Sequence, residues 1–191
     1  MQEFRSNNQA RHAKPREGLR TNRRAVLAVY DWLGTLMIAL IVLSLLLSYV
    51  VRMFGVDGDS MLPTLNDGDI LLLLPFESQY SRGDIIVVDR YTDEPLVKRV
   101  IAVGGDTIDI SNDGKVSVNG TVLTEDYIQG NTVLNDFTGP VEIPMGYLFV
   151  MGDNRTISKD SRMEEIDLVS VKDVVGKAFY CVWPADSSGR V

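Results

Sequence analysis

Histidine and cysteine are almost missing from this sequence: 191 residues hold one of each, His12 and Cys181. A single cysteine excludes an internal disulfide and any zinc site built from several thiolates. It reads as a small buried hydrophobe. The single histidine sits in a polar N-terminal arm, separated from the rest of the chain by a long apolar run. A Ser-His-Asp triad within one copy of the chain is thereby excluded. Imidazole-based metal sites go with it, leaving only an all-carboxylate site open to a metal. No metal and no cofactor are expected. Extended helical periodicity is absent outside the apolar run, and no internal repeat or low-complexity tract occurs.

Basic charge is scarce beyond the arm. Residues 1–24 carry seven Lys or Arg against Glu3 and Glu17, a local charge of +5, so the remainder carries −12 of the total −7. An acidic main body argues against nucleic acid as its partner. The arm precedes twenty residues, Trp32 to Val51, without a charge. As a helix this run spans a bilayer core. Its basic N-terminal flank places the N-terminus on the cytoplasmic side of the plasma membrane by the positive-inside rule. The remainder then lies outside. Trp32, Tyr49 and Phe54 suit the two interfaces. No small-x-small site follows the run, which reads as an uncleaved anchor rather than a signal peptide.

The hydrophobic share of 45% rules out a disordered chain, and about 140 residues remain after the anchor, enough for one sizeable domain. Short runs rich in Ile, Val and Leu read as strands at 69–74, 84–89, 96–103, 106–110, 115–118 and 147–151. "SNDGK" and "VNGT" mark turns, the second a hairpin cue. Residues 125–145 read as loop with short strands. The stretch from Met163 to Pro184 could open on a helical turn and ends as a strand. The fold class is mainly β: one N-terminal transmembrane helix, then an all-β domain with a small inserted β lobe. The expected division is an arm at 1–24, an anchor at 25–52, a β core at 53–105 and 147–191, and the lobe at 106–146.

Three segments carry chemistry. "GDSMLPTL" (58–65) reads as a turn, or as the setting of a nucleophile, Ser60. A serine hydroxyl needs a base, and histidine is not on offer. "LVKRVIAV" (96–103) is apolar on both faces around Lys98, which shares its face with Leu96, Val100 and Ala102 by strand alternation. Buried, Lys98 loses its proton readily and becomes a base. At a strand end it would instead extend its head to water. The third segment, "GDNRTISKDSR" (152–162), is either a solvated loop or a source of a hydroxyl for the lysine amine and of an Asp–Arg pair. Its Asn154-Arg155-Thr156 and the hairpin's Asn119-Gly120-Thr121 also match the N-glycosylation pattern.

These segments, in this order behind an anchor and joined by "RGDIIVVD" (82–89) and "KRVIAVGGDTI" (98–108), resemble the bacterial type I signal peptidases, membrane-anchored Ser–Lys proteases. The single anchor and short lobe are similar to the Gram-positive type. The resemblance implies that Ser60 attacks the scissile carbonyl and Lys98 takes its proton. It implies that Ser158 orients the Lys98 amine, that Asp160 and Arg162 support the loop, and that Asp153 pairs with Arg99. The Ser60 backbone N–H would supply one oxyanion donor. Some relatives place a second serine two residues before the nucleophile, where this chain has Gly58. The implied substrates are exported precursors bearing signal peptides, cut after small-x-small sites, with "DRYTDEPLVKR" and "GDSML" bordering the peptide groove. The implied partners are these precursors, the lipid bilayer and the secretion machinery. Phe54, Met61, Leu62 and Trp183 would dip into the membrane interface or serve as core. A self-cleaving repressor-type Ser–Lys peptidase shares the core fold but not the anchor. A membrane-tethered β domain that binds peptide without chemistry shares everything except the Ser60–Lys98 combination.

Overall fold

The computed structural model describes residues 18–50, 52–75, 79–89, 92, 94–184 and 189. His12, most of the basic arm and three residues of the expected groove border (90, 91 and 93) lie outside them. The chain divides in sequence into two compact units between Leu46 and Leu47.

The described residues of the first unit are helical. Helix α1 runs Gly18–Val50. Its segment Arg23–Leu45 has a mean hydropathy of 2.2 and buries none of it within the protein. Those 23 residues reach about 34 Å at the helical rise, against a hydrocarbon core of about 30 Å. Large apolar side chains such as Leu36, Met37, Ile38 and Leu40 stand exposed around it. A helix apolar on all sides needs an apolar solvent, and the chain is a single-pass membrane protein.

The second unit is β. In chain order its strands are β1 Arg52–Gly55, β2 Ile70–Leu74, β3 Ile85–Val88, β4 Leu96–Val103, β5 Thr107–Ile110, β6 Val116–Val118, β7 Thr121–Val122, β8 Val141–Glu142, β9 Tyr147–Met151, β10 Val169–Ser170 and β11 Val174–Trp183. Seven form one antiparallel sheet in the order β1-β2-β11-β3-β4-β9-β10. The other four form a second sheet, β7-β6-β5-β8. The hairpin between β6 and β7 turns on Asn119 and Gly120, with φ of 54° and 76°. Two consecutive left-handed residues are what a two-residue hairpin loop demands.

Both faces of the central strands are covered. Ile85 and Val87 of β3 pack with Leu71, Leu73, Val97, Ala178 and Cys181, while Ile86 and Val88 pack with Val100, Val150, Leu148 and Val169. A third cluster, including Ile108, Val118, Ile143 and Phe149, joins the smaller sheet to β4 and β9. Strand alternation places Ala102 on the face of Lys98, but the β4–β9 register shifts between Val100 and Ala102. Ile101 and Ala102 consequently share the third cluster. The stretch from Met163 to Asp173 forms turns, the short strand β10 and one 3-10 turn, Val171–Asp173, with no α-helix.

Candidate active site

Ser60 opens the turn between β1 and β2. The excursion is closed at its neck, where Val56 N donates to Asp69 O at 2.8 Å and Gly68 N to Val56 O at 2.9 Å. Its tip is pinned by Met61 and Leu65, both 1% exposed within the first core cluster. Met61 is therefore core and not a membrane-facing residue: the turn that presents Ser60 drives the next side chain inward. Phe54 packs partly against the same cluster, whereas Trp183 is 59% exposed.

Lys98 lies in β4 beneath this turn and is 3% exposed. Its Nζ stands 2.8 Å from Ser60 Oγ and donates to Val97 O at 3.0 Å. Burial pushes the amine from its ordinary 10.5 down to about 8. The carboxylates of Asp160 and Asp153 oppose that shift and Arg162 adds to it.

Two buried ion pairs flank the lysine. Arg99 grips Asp153 with two bonds, Nε to Oδ1 at 2.8 Å and Nη2 to Oδ2 at 2.6 Å. Arg99 also donates to Gly83 O, and Thr64 Oγ1 donates to Asp153 Oδ2 at 2.5 Å. Arg162 holds Asp160 in the same forked way, both bonds at 2.8 Å, and neither side chain is exposed. Asp160 Oδ2 in turn accepts from Gly152 N at 3.0 Å. Forked Arg–carboxylate pairs fix orientation as well as charge.

The loop after β9 binds the serine turn through its backbone. Asn154 N donates to Ser60 O at 3.0 Å, and Asn154 Nδ2 to Asp59 O at 3.2 Å. Asn154 is buried and engaged, unlike an accessible glycosylation site. Ser158 stands at this junction but does not bond to Lys98, whose amine is engaged by Ser60 Oγ and Val97 O. Ser158 Oγ is buried without a hydrogen-bond partner among the described residues. The Ser60 N–H is likewise without a partner among the described residues, whereas the Gly58 N–H is occupied by Asp67 Oδ1 at 2.9 Å.

Sequence reasoning assigned no role to Gly152 or to Arg155. A Cβ on Gly152 would collide with Ser158 Oγ and come within 2.5 Å of Ser60 O. Only glycine lets these two loops touch. Gly152→Ala is expected to lower the cleavage rate about a hundredfold by displacing Ser60 or Ser158 by a fraction of an ångström to an ångström, and stability by about 1–3 kcal/mol. Single-turnover kinetics and thermal unfolding check both. Arg155, 1% exposed, donates to Gly152 O at 3.0 Å, Thr132 Oγ1 at 2.9 Å and both oxygens of Glu125. Its guanidinium could be noticed in the sequence, but its partners 23 and 30 residues upstream could not.

A family model described as signal peptidase, peptidase S26, matches residues 29–183, a range that takes in the anchor, the serine turn, β4 and the loop after β9. The chain belongs to the signal peptidase family. Signal peptidase I of Bacillus amyloliquefaciens is 34% identical over 169 residues, covering 82% of this chain and 89% of that one. Signal peptidase I S of Bacillus subtilis strain 168 is 32% identical, covering 82% and 90%. Signal peptidase I of Bacillus caldolyticus is 35% identical, covering 77% and 87%. A crystal structure of a signal peptidase I from Enterococcus faecalis V583 aligns with a TM-score of 0.43 at 28% identity, covering 52% of this chain and 96% of that one. The activity of the chain is that of the signal peptidases of type I, serine endopeptidase cleavage that removes N-terminal leader peptides.

Proposed function

We propose that Ser60 is the nucleophile and Lys98 the general base of this signal peptidase, acting on exported precursors with small residues one and three positions before the cut. The reading is carried by one observation: a lysine amine, buried and brought down to about 8, stands 2.8 Å from the serine hydroxyl. Ser60 Oγ attacks the scissile carbonyl carbon as its proton passes to the neutral Nζ. The Ser60 N–H stabilises the oxyanion. Nζ then returns the proton to the leaving amine, and the mature protein departs, leaving an acyl ester on Ser60. Lys98 next takes a proton from water, which attacks the ester, and returns that proton to Ser60 Oγ as the signal peptide leaves. Asp153–Arg99 and Asp160–Arg162 hold β4 and the loop in register on either side of Nζ.

The basic flank of the anchor orients the N-terminus to the cytoplasm and the β unit to the outer face, where precursors emerge still held in the bilayer. Residues 106–146 act as a lobe inserted between the halves of the core.

The test uses full-length protein in detergent and a precursor with an Ala-x-Ala site, new N-termini being read by mass spectrometry. A single cut at that site is expected. Because the base must be neutral, kcat/KM is expected to rise with pH through a midpoint near 8 and level off above it. Cutting that is unchanged from pH 6 to 10 would exclude Lys98 as the base.

A further inference from the structure

The segment Glu125–Gln129 lies in the stretch between β7 and β8, far in sequence from every group assigned above, yet it is bound to two of the three segments that build the site. Glu125 forms a forked pair with Arg155, Oε1 at 2.5 Å and Oε2 at 3.0 Å. Tyr127 donates its hydroxyl to Glu125 Oε1 at 3.0 Å. The Tyr127 ring lies 4.2 Å from the Arg99 guanidinium carbon, covering the face of the cation that holds Asp153. Gln129 N donates to Asp153 O at 2.8 Å and Arg155 N returns a bond to Gln129 O at 2.9 Å, a parallel bridge alongside Asn154.

We propose that Glu125 is a positioning residue for cleavage, acting through Arg155 on Gly152 and through Tyr127 on Arg99. Arg155 has its Nε on Gly152 O, and Gly152 is the residue with no clearance between Ser158 and the Ser60 carbonyl. Whatever moves Arg155 moves the contact surface between the two loops. Glu125 is the only acid paired with Arg155 among the described residues, and it comes from the lobe. The same carboxylate oxygen that holds Arg155 accepts the bond that keeps Tyr127 over Arg99. Burial first, then the neighbouring carboxylate, pushes the Tyr127 phenol above its ordinary range, so it remains a neutral donor at any working pH. One side chain of the lobe therefore ties both arginines, and a lobe that looks like a spacer sets the distance on which proton transfer depends.

This proposal rests on the Ser60–Lys98 reading, so Ser60→Ala is assayed in parallel; persistent cutting in that variant would sink the parent reading and this one with it, whereas the outcomes below bear on this one alone. The experiment compares full-length wild type, Glu125→Gln and Tyr127→Phe by steady-state kinetics on the Ala-x-Ala precursor, with activity expressed per folded molecule from the amplitude of the unfolding transition. Glu125→Gln is expected to lower kcat at least tenfold with KM within twofold, cutting at the same bond. Tyr127→Phe keeps the ring and loses only the bond to Glu125; a threefold to tenfold fall in kcat is expected. A lowered unfolding temperature with kcat per folded molecule unchanged in both variants would reduce Glu125 to a fold-holding residue and overturn the proposal. If Glu125→Gln does not fold, Tyr127→Phe decides alone: an unchanged kcat overturns, a reduced kcat at unchanged KM supports.

Discussion

Ser60→Ala and Lys98→Ala are each expected to reduce cleavage of an Ala-x-Ala precursor by at least about a thousandfold, because the proposed nucleophile and base act as one unit. Loss of fold does not explain such a result, and Lys98→Met separates the two. The buried amine binds its proton less well in the folded chain, about 8, than in the unfolded one, 10.5. Between those values the unfolded chain holds a proton that the folded chain has lost, so wild-type stability rises with pH across that window. Below pH 8 the folded protein carries a buried cation at a cost that Met escapes. Wild type is therefore expected to gain about 3 kcal/mol relative to Lys98→Met as pH rises from 8 to 10.5. Denaturant midpoints for the two proteins across that range measure the gain. A constant difference would mean that Lys98 titrates alike in both states, which its burial forbids.

Asp160→Asn is expected to lower stability by about 3–5 kcal/mol, the cost of leaving one partner of a buried pair charged and alone. Arg162 has no exposed side-chain surface on which to rehydrate. For a unit of this size the loss corresponds to a fall in unfolding temperature on the order of 10 °C. The residual activity carries a second signature. The Asp160 carboxylate raises the proton affinity of Lys98, while Asp153 also raises it and Arg162 lowers it. Removing Asp160 leaves Arg162 unopposed by its partner, and the pH midpoint of cleavage is expected to move below that of wild type. A variant as stable as wild type, or a midpoint displaced upward, would contradict the charge balance described here.

Much of this architecture can be read from local sequence. β4 spans the very residues read as a strand, because apolar side chains surround Lys98 and Arg99 on both faces of a strand that is covered on both sides. The hairpin at Asn119-Gly120 is legible because few other residue pairs tolerate its backbone. β11 is harder to read. Its Gly176 and Lys177 interrupt the pattern, and its register shifts twice against β2. Gly176 is there because a Cβ would approach Leu73 and Leu74 to 3.1 Å, a reason that exists only once the strands are side by side. The strap at Glu125–Gln129 has no strand pattern at all. Its single bridge to Asn154 is parallel and isolated, and such a bridge leaves no periodic trace. The bulk of Arg155 and its lack of exposure are likewise consequences of partners that only the tertiary structure brings near.

The order of strands in the larger sheet has a bearing on when the enzyme comes into being. β1 and β2, which frame Ser60, meet the strand bearing Lys98 within that sheet only by way of β11 and β3. β11 is the last strand in chain order among the described residues. A chain made from its N-terminus can form the β1–β2 hairpin and its serine turn before the strand that unites the two halves exists. Until β11 is complete, near Trp183, no strand joins the two halves of that sheet. The pairing of Ser60 with Lys98 thus waits on β11 by the order of strands alone.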